Sequence, residues 1–453
     1  MIAKFKIDPT KLIASIYLEN GSYRVINEIK LLMSSLSDDY TFQDDTFTIP
    51  WFELRRGISD IAFILKREKI QADFDDLTTT LIKEAIQDKR SIKERNSLST
   101  PSSEEFNKYL QESGFVRVLK KEQTRDALKL LSINHGANFS VPGAGKTTTI
   151  LAVHTILKKL NVVNKLFIIA PINAFISWED EITEIFYNRK QNIRRLSAND
   201  LSNFTDIGKE NPDIILVNYE KLRKNISGLI PFFIRHKVHL ILDESHRIKS
   251  GTNNLSYNQI IKLGNLAKRR DILSGTPMPQ NYLDLVPQFD YLWPGEDIIP
   301  QSNLNEKEGN STVNFFINDL YVRTTKNELG LRNPNIYYTT IPMGKVQSEL
   351  YNLFKSETAR ILSGMDRTNI QDFRRIGKSV VKLLQAATNP MLLSLKDEYE
   401  NETVPIPIDK EYWELLYDFR KYVSLQFSKS NTYPWHSTNM QQISFNNSGN
   451  QAG

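Results

Sequence analysis

The 453-residue chain contains no cysteine, which removes disulfides, thiolate zinc sites and cysteine nucleophiles from consideration and fits a reducing compartment. No apolar run approaches the roughly 20 residues that a membrane-spanning helix needs. The opening "MIAKFKIDPTKLIASIYL" mixes charges into its apolar positions and so has no signal-peptide core. A soluble cytoplasmic protein with no membrane partner is expected. Neither charge sign dominates: the net charge is +5 and the isoelectric point about 8.9, which is compatible with a polyanionic partner but does not demand one. No internal repeat is present. At this length about two or three domains are expected.

Four zones separate along the chain. Residues 1–112 combine alternating runs such as "TFTIPWFELRRGI" with helical ones such as "DLTTTLIKEAIQ", closing in the polar linker "SLSTPSSEE". They carry no interpretable motif and read as an accessory domain. Residues 113–305 change to short apolar runs, "NFSV", "KLFIIAP", "DIILVNY", "HLILDE" and "RDILSGTP", separated by helical or loop segments. That is the pattern of buried strands in a parallel α/β sheet, and polar residues sit just after the runs, where such sheets bind ligands. Residues 306–428 turn helical in "KVQSELYNLFKSETARILSGM" and "RIGKSVVKLLQAATNPMLLSL". Residues 429–453, rich in Asn, Ser and Gln, read as a disordered tail.

Two stretches carry chemistry. In "NFSVPGAGKTTTI" the P-loop pattern of Gly, four residues and Gly-Lys-Ser/Thr is met except at Ser140, where glycine is usual. Gly143 and Gly145 permit the tight turn, Lys146 can reach the β and γ phosphates of ATP, and the Thr147 hydroxyl can hold Mg²⁺. A glycine-rich turn opening a helix is the plain alternative. In "HLILDESHRIKS" Asp243 and Glu244 end an apolar strand, where one carboxylate can hold Mg²⁺ and the next can orient and deprotonate water. A solvated turn is the alternative for an isolated Asp-Glu pair. A GTPase would want Asn-Lys-x-Asp, and Asn164-Lys165-Leu166-Phe167 has no such Asp.

The order of these segments resembles the N-terminal motor lobe of Swi/Snf-type superfamily 2 helicases, ATP-driven double-stranded DNA translocases. "VLKKEQTRDALKLL" resembles the adenine-reading segment, with Gln123 at the glutamine position, and "SVPGAGKTT" resembles motif I. The cradle so implied comprises Pro142, Gly143, Ala144, Gly145, Lys146, Thr147 and Thr148. "IIAPINAFISWEDEI" resembles motif Ia, with Trp178 at family spacing, and "LVNYEKL" the next DNA-side motif, through Asn218 and Tyr219. "DESHRIKS" is similar to the Asp-Glu-x-His box with its trailing Lys249, and "LSGTPMPQNYLDL" to motif III. The resemblance implies that His246, Ser274, Gly275 and Thr276 relay the γ-phosphate state to a DNA-facing surface. "LYVRTTKNELGL" looks like the segment after motif III, with Arg323 and Lys326 in place and Thr324 where a second Arg is expected.

A RecA-like α/β lobe with a helical extension is therefore expected, using ATP and Mg²⁺ and acting on double-stranded DNA. A motor of this family has a second such lobe that brings an arginine to the γ-phosphate, and the residues after Leu395 are too few to build one. A truncated product, or a second polypeptide supplying that half, is the corresponding expectation. The other open reading is an ATP-binding interaction module that has lost motor activity. The basic "AKRR" at 267–270 reads as a solvated helix end or, less favoured, a DNA contact.

Overall fold

In the computed structural model, described residues are 2–388 except 10, 95–99, 198–199, 202–203, 205–210, 224–225, 300–305, 331–339 and 364–369. The expected tail at 429–453 and the end of "LLQAATNPMLLSL" lie outside them. The chain forms two compact units, Met1–Arg332 and Asn333–Gly453.

The first unit opens with β1 (Ile2–Asp8), β2 (Ile13–Glu19), α1 (Tyr23–Leu36), β3 (Thr41–Gln43), β4 (Thr46–Pro50), α2 (Trp51–Arg67), β5 (Gln71–Phe74) and α3 (Asp76–Glu94). Its strands form one sheet in the order β3-β4-β2-β1-β5, antiparallel except for the β1/β5 pair. Alternation explains its face: Ala3, Phe5 and Ile7 are buried while Lys4 and Lys6 point to solvent. The alternating stretch "TFTIPWFELRRGI" is a strand only to Pro50. From Trp51 it is helical, because Trp51, Leu54, Ile61 and Leu65 fall on one buried helix face.

The helix α4 (Ser103–Glu112) then starts with a capping box. Ser102 Oγ accepts from the Glu105 N–H, and Glu105 accepts from the Ser102 N–H. There follow α5 (Lys121–Leu131), β6 (Gly136–Asn138), α6 (Lys146–Lys159), β7 (Lys165–Ile169), α7 (Phe175–Ile185), β8 (Ile193–Arg195), β9 (Ile214–Val217), α8 (Ile230–Arg235), β10 (Val238–Asp243), α9 (Leu255–Leu266), β11 (Arg269–Leu273), α10 (Val286–Leu292), α11 (Glu306–Ile317) and β12 (Tyr321–Val322). These strands form a second sheet, β12-β6-β11-β10-β7-β9-β8, and every pair in it is parallel. The expected α/β class with a helix-flanked parallel sheet is what the chain adopts. The sheet takes its edge strand from Tyr321–Val322, beyond the expected boundary at 305, because so short a strand has no pattern of its own and exists only by pairing with β6.

The basic run at 267–270 is neither a solvated helix end nor a DNA contact. Arg269 and Arg270 are buried inside β11. Asp271 accepts from Arg269 Nε at 2.6 Å and from His239 Nε2 at 2.7 Å, so His239 Nδ1 is left to accept from His154 Nδ1 on α6 at 3.2 Å. Arg270 reaches into the N-terminal sheet region. Its Nη2 donates to Asp88 of α3 at 2.7 Å, and Arg55 of α2 donates to the same carboxylate oxygen at 3.0 Å. The Arg270 backbone N–H donates to His135 Nδ1, so His135 Nε2 carries the proton that binds the other Asp88 oxygen at 3.1 Å. Burial, together with the charge of Arg270, pushes His135 down to about 3 and keeps it neutral. Burial opposes ionisation of Asp88, yet His135 and the two arginines hold it below the usual carboxylate range.

In the second unit α12 (Lys345–Ser363) and α13 (Ile370–Thr388) pack as a hairpin around Leu350, Phe354 and Ala386. Gln347 Nε2 donates to the Ala387 carbonyl at 2.9 Å.

Asp88→Ala leaves two buried guanidiniums without their shared carboxylate. Urea unfolding is expected to show a loss of about 3–5 kcal/mol, and a loss below about 1 kcal/mol would contradict a desolvated clasp.

Candidate nucleotide-binding site

Three neighbouring strands end at one level. Asn138 of β6 pairs with Leu273 of β11, and Leu273 with Asp243 of β10. The segments that follow, 139–145, 274–276 and Glu244 onward, therefore emerge side by side at the carboxyl edge of the sheet, where open α/β sheets bind ligands. This register brings the glycine-rich loop, Ser274-Gly275-Thr276 and the Asp-Glu pair together.

The loop from Phe139 to Gly145 leads directly into α6, and its glycines are structural requirements. Gly143 and Gly145 have φ of +84° and +79°, a region that side chains disfavour. A Cβ on Gly275 would lie 3.0 Å from Pro142 and 3.7 Å from Lys146 Nζ, so glycine lets motif III pack against the loop. The Lys146 amine donates to the Ser140 carbonyl at 3.0 Å. Burial lowers its pKa while the Glu244 and Asp243 carboxylates pull it up. A cleft of about 530 Å³ opens beside the loop, lined by Arg117, Gln123, Gly143, Gly145, Lys146, Thr147, Ser177 and Glu181 among others. Another cleft is larger, at about 810 Å³, but it is lined by Arg56, Lys249, Tyr257 and Asp290 rather than by the glycine-rich loop.

Asp243 is held on three sides. Trp178 Nε1 donates to Oδ2 at 2.9 Å, the Glu244 N–H donates to Oδ1 at 3.0 Å, and the Tyr219 hydroxyl donates to the Asp243 carbonyl at 2.7 Å. Burial raises the pKa of its carboxyl, and the bond from Trp178 opposes the rise. Glu244 itself adopts a left-handed backbone at φ +52°, a conformation that costs about 1–3 kcal/mol in a non-glycine residue and is found at functional sites. His246 Nδ1 lies 3.3 Å from Glu244 Oε2 and 3.3 Å from Ser274 Oγ. Ser274 also accepts from the Thr276 N–H at 3.1 Å and donates its own N–H to Asn138.

The other expected positions fall as follows. Trp178 and Tyr219, expected on the coupling or DNA side, are buried with their polar atoms bonded to Asp243. Asn218 is also buried, and its side chain accepts from the Lys221 N–H in a turn. Thr148 also lines the nucleotide-side cleft, where its largely buried hydroxyl donates to Glu181. Gln123, on α5, lines the cleft and reaches the loop with its side chain, donating to the Ala144 carbonyl at 3.3 Å. Lys249 lines the larger cleft and Arg323 is exposed. Sequence reasoning missed Arg117 and Glu181, which pair with each other at the cleft wall; Glu181 sits one turn after Trp178 on α7, a spacing that puts both near one helix face.

The residues fit a nucleoside triphosphate with Mg²⁺. Asp243 is a half-buried carboxylate with no ion pair among the described residues, and the Thr147 hydroxyl beside the loop, which lines the cleft, has no hydrogen-bond partner among them. Phosphates would be held by the loop N–H groups and Lys146, and the metal by Thr147 and Asp243.

The SNF2-related domain family matches residues 139–392, more than half of the sequence. The chain belongs to that family. It is similar to the mouse "DNA excision repair protein ERCC-6-like", 27% identical over 163 residues that make up 34% of this chain and 12% of that protein. It is also similar to the Saccharomyces cerevisiae "Nuclear protein STH1/NPS1", 28% identical over 189 residues, 39% of this chain and 13% of that one. The match thus spans about an eighth of each relative's length. Among solved structures, the "Sulfolobus solfataricus SWI2/SNF2 ATPase core domain" aligns at 20% identity and a TM-score of 0.40, covering 66% of this chain and 62% of that one, a likeness too low to carry an argument. No helix among the described residues is long and apolar enough to cross a membrane.

Trp178→Phe removes a donor that favours the charged form of Asp243. Its carboxyl should then protonate at higher pH, so ATP affinity measured with Mg²⁺ should begin to fall at higher pH than in the wild type. Superimposable pH profiles would show that the indole does not support the carboxylate.

Proposed function

We propose that this SNF2-family chain is the ATP-binding motor lobe of a DNA-dependent ATPase. The observation that carries this reading is the convergence of Lys146, Asp243, Glu244 and Ser274 on adjacent strand ends that share one register. In this reading the loop N–H groups and Lys146 bind the triphosphate, and Thr147 and Asp243 hold Mg²⁺, which when bound neutralises charge on the β and γ phosphates. Glu244 orients the attacking water and takes its proton. His246 reports the charge on Glu244 to Ser274, and Ser274, bonded to both the β6 end and Thr276, passes the change along motif III.

An arginine at the γ-phosphate is worth about 10³–10⁵ in rate in related phosphoryl transfers. Arg117, the arginine of the nucleotide cleft, is paired with Glu181 and Glu184, so full turnover in this reading draws on an arginine from a second lobe. Double-stranded DNA is the proposed partner on the strength of family membership, with contacts to phosphate from exposed basic residues such as Arg323 and Lys326. Such contacts should weaken with salt rather than with base sequence.

Steady-state ATP hydrolysis with and without double-stranded DNA tests the reading, with Lys146→Ala and Glu244→Gln alongside. Lys146→Ala should lose binding. Glu244→Gln should bind ATP like the wild type and turn it over at least about 10²-fold more slowly. Normal turnover by Glu244→Gln would misplace the base, and binding without any turnover in the wild type would favour an ATP-dependent interaction module.

A further inference from the structure

Two positions depart from the patterns that surround them: Ser140 stands at the usual first glycine of the phosphate loop, and Thr324 where a second arginine is expected after motif III. The fold bonds these two residues to each other. Ser140 Oγ accepts from the Thr324 N–H at 2.8 Å and donates to Asp126 Oδ2 at 3.3 Å. Thr324 Oγ1 donates to the same Asp126 oxygen at 2.7 Å and accepts from Arg125 Nη2 at 3.0 Å. Arg125 also pairs with the other Asp126 oxygen and with Glu328. Asp126, Ser140 and Thr324 are all buried. A buried polar network of this kind is costly unless each member is satisfied, and here each hydroxyl both gives and receives.

Ser140 has two further attachments. Its N–H donates to Asn138 Oδ1 at 3.0 Å, and its carbonyl accepts from Lys146 Nζ at 3.0 Å. The backbone continues the link, since the Phe139 and Val141 N–H groups donate to the Val322 and Thr324 carbonyls. One residue therefore joins the phosphate-seeking amine to the segment 321–328.

We infer that Asp126 and Thr324 are positioning residues of the phosphate loop, which make affinity for a nucleoside triphosphate and the conformation of 321–328 interdependent. The inference rests on the functional reading above. Fixing the start of the loop lowers the ordering cost that binding must meet. A phosphate that draws on Lys146 changes the hydrogen bonding of the Ser140 carbonyl, and any such effect on 321–328 must by linkage act back on affinity by the same factor.

The test compares Thr324→Val, which keeps the backbone N–H and loses the hydroxyl, with Thr324→Ser, which keeps both, and with Asp126→Asn. Each is titrated with ATP and Mg²⁺, and backbone hydrogen exchange is followed over 139–141 and 321–328. Thr324→Val should bind ATP about tenfold more weakly, a step of about 1.4 kcal/mol, and Thr324→Ser should match the wild type. ATP should slow exchange at Val141 and Thr324 in the wild type, and by less in Asp126→Asn. Should Asp126→Asn fail to fold, the Thr324 pair decides alone. Equal affinity of Thr324→Val and wild type, equal losses in Thr324→Val and Thr324→Ser, or no exchange response to saturating ATP in 321–328 of the wild type would each overturn the inference. A wild type that binds no ATP would overturn the functional reading, and this inference with it. A wild type that binds ATP with unaltered variants overturns this inference alone.

Discussion

Everything at the candidate site depends on the parallel register of β6, β11 and β10. Because Asn138, Leu273 and Asp243 end at the same level, three loops that are distant in sequence leave the sheet as neighbours. A shift of one residue in β10 would turn Asp243 to the opposite face of the sheet and withdraw it from Trp178. The register is held by apolar strand interiors buried on both faces, such as Leu240, Ile241 and Leu242. Polar bonds across the same strands add specificity, notably Asp271 of β11 with Gly136 of β6 and His239 of β10.

The close packing of the loops then becomes a chemical constraint. Gly275 admits Pro142 at a distance that a side chain would obstruct, and Ser274 ties the end of β6 to the His246 side chain. Lys146 feels both acidic side chains without forming an ion pair with either among the described residues. An amine partly stripped of water, beside a half-buried carboxylate whose pKa is raised, makes a local charge pattern that a metal-bound triphosphate would complement. The N-terminal sheet is joined to this lobe far from the loop, through the Arg55, Asp88 and Arg270 cluster.

Much of this was legible in the residues. The strands β7, β9, β10 and β11 appear as apolar runs because both faces of a parallel sheet are covered. The glycine-rich loop and the Asp-Glu pair are local patterns, so their spacing survives without any tertiary information. The short strands β8 and β12 were not legible, since two or three residues carry no periodicity and exist by pairing alone. Arg269 and Arg270 read as solvated because their burial comes from the fold: Asp271, beside Arg269, is buried with it inside β11, and Asp88, the partner of Arg270, lies 182 positions away. The side-chain bonds of Trp178 and Tyr219 were not legible for the same reason. Their partner is Asp243, and nothing local in "NAFISWEDEI" or "LVNYEKL" points to it. Ser140 and Thr324 looked like separate departures from a pattern until Asp126 connected them.

The most direct measurement is an equilibrium titration of the chain with ATP, with Mg²⁺ and then with the metal chelated, in the wild type and in Asp243→Asn. The account predicts saturable binding in the wild type that tightens with Mg²⁺, and binding in Asp243→Asn that is indifferent to the metal. Equal metal dependence in both proteins would contradict the assignment of Asp243, and with it the reading of the strand-end cluster as a nucleotide and metal site.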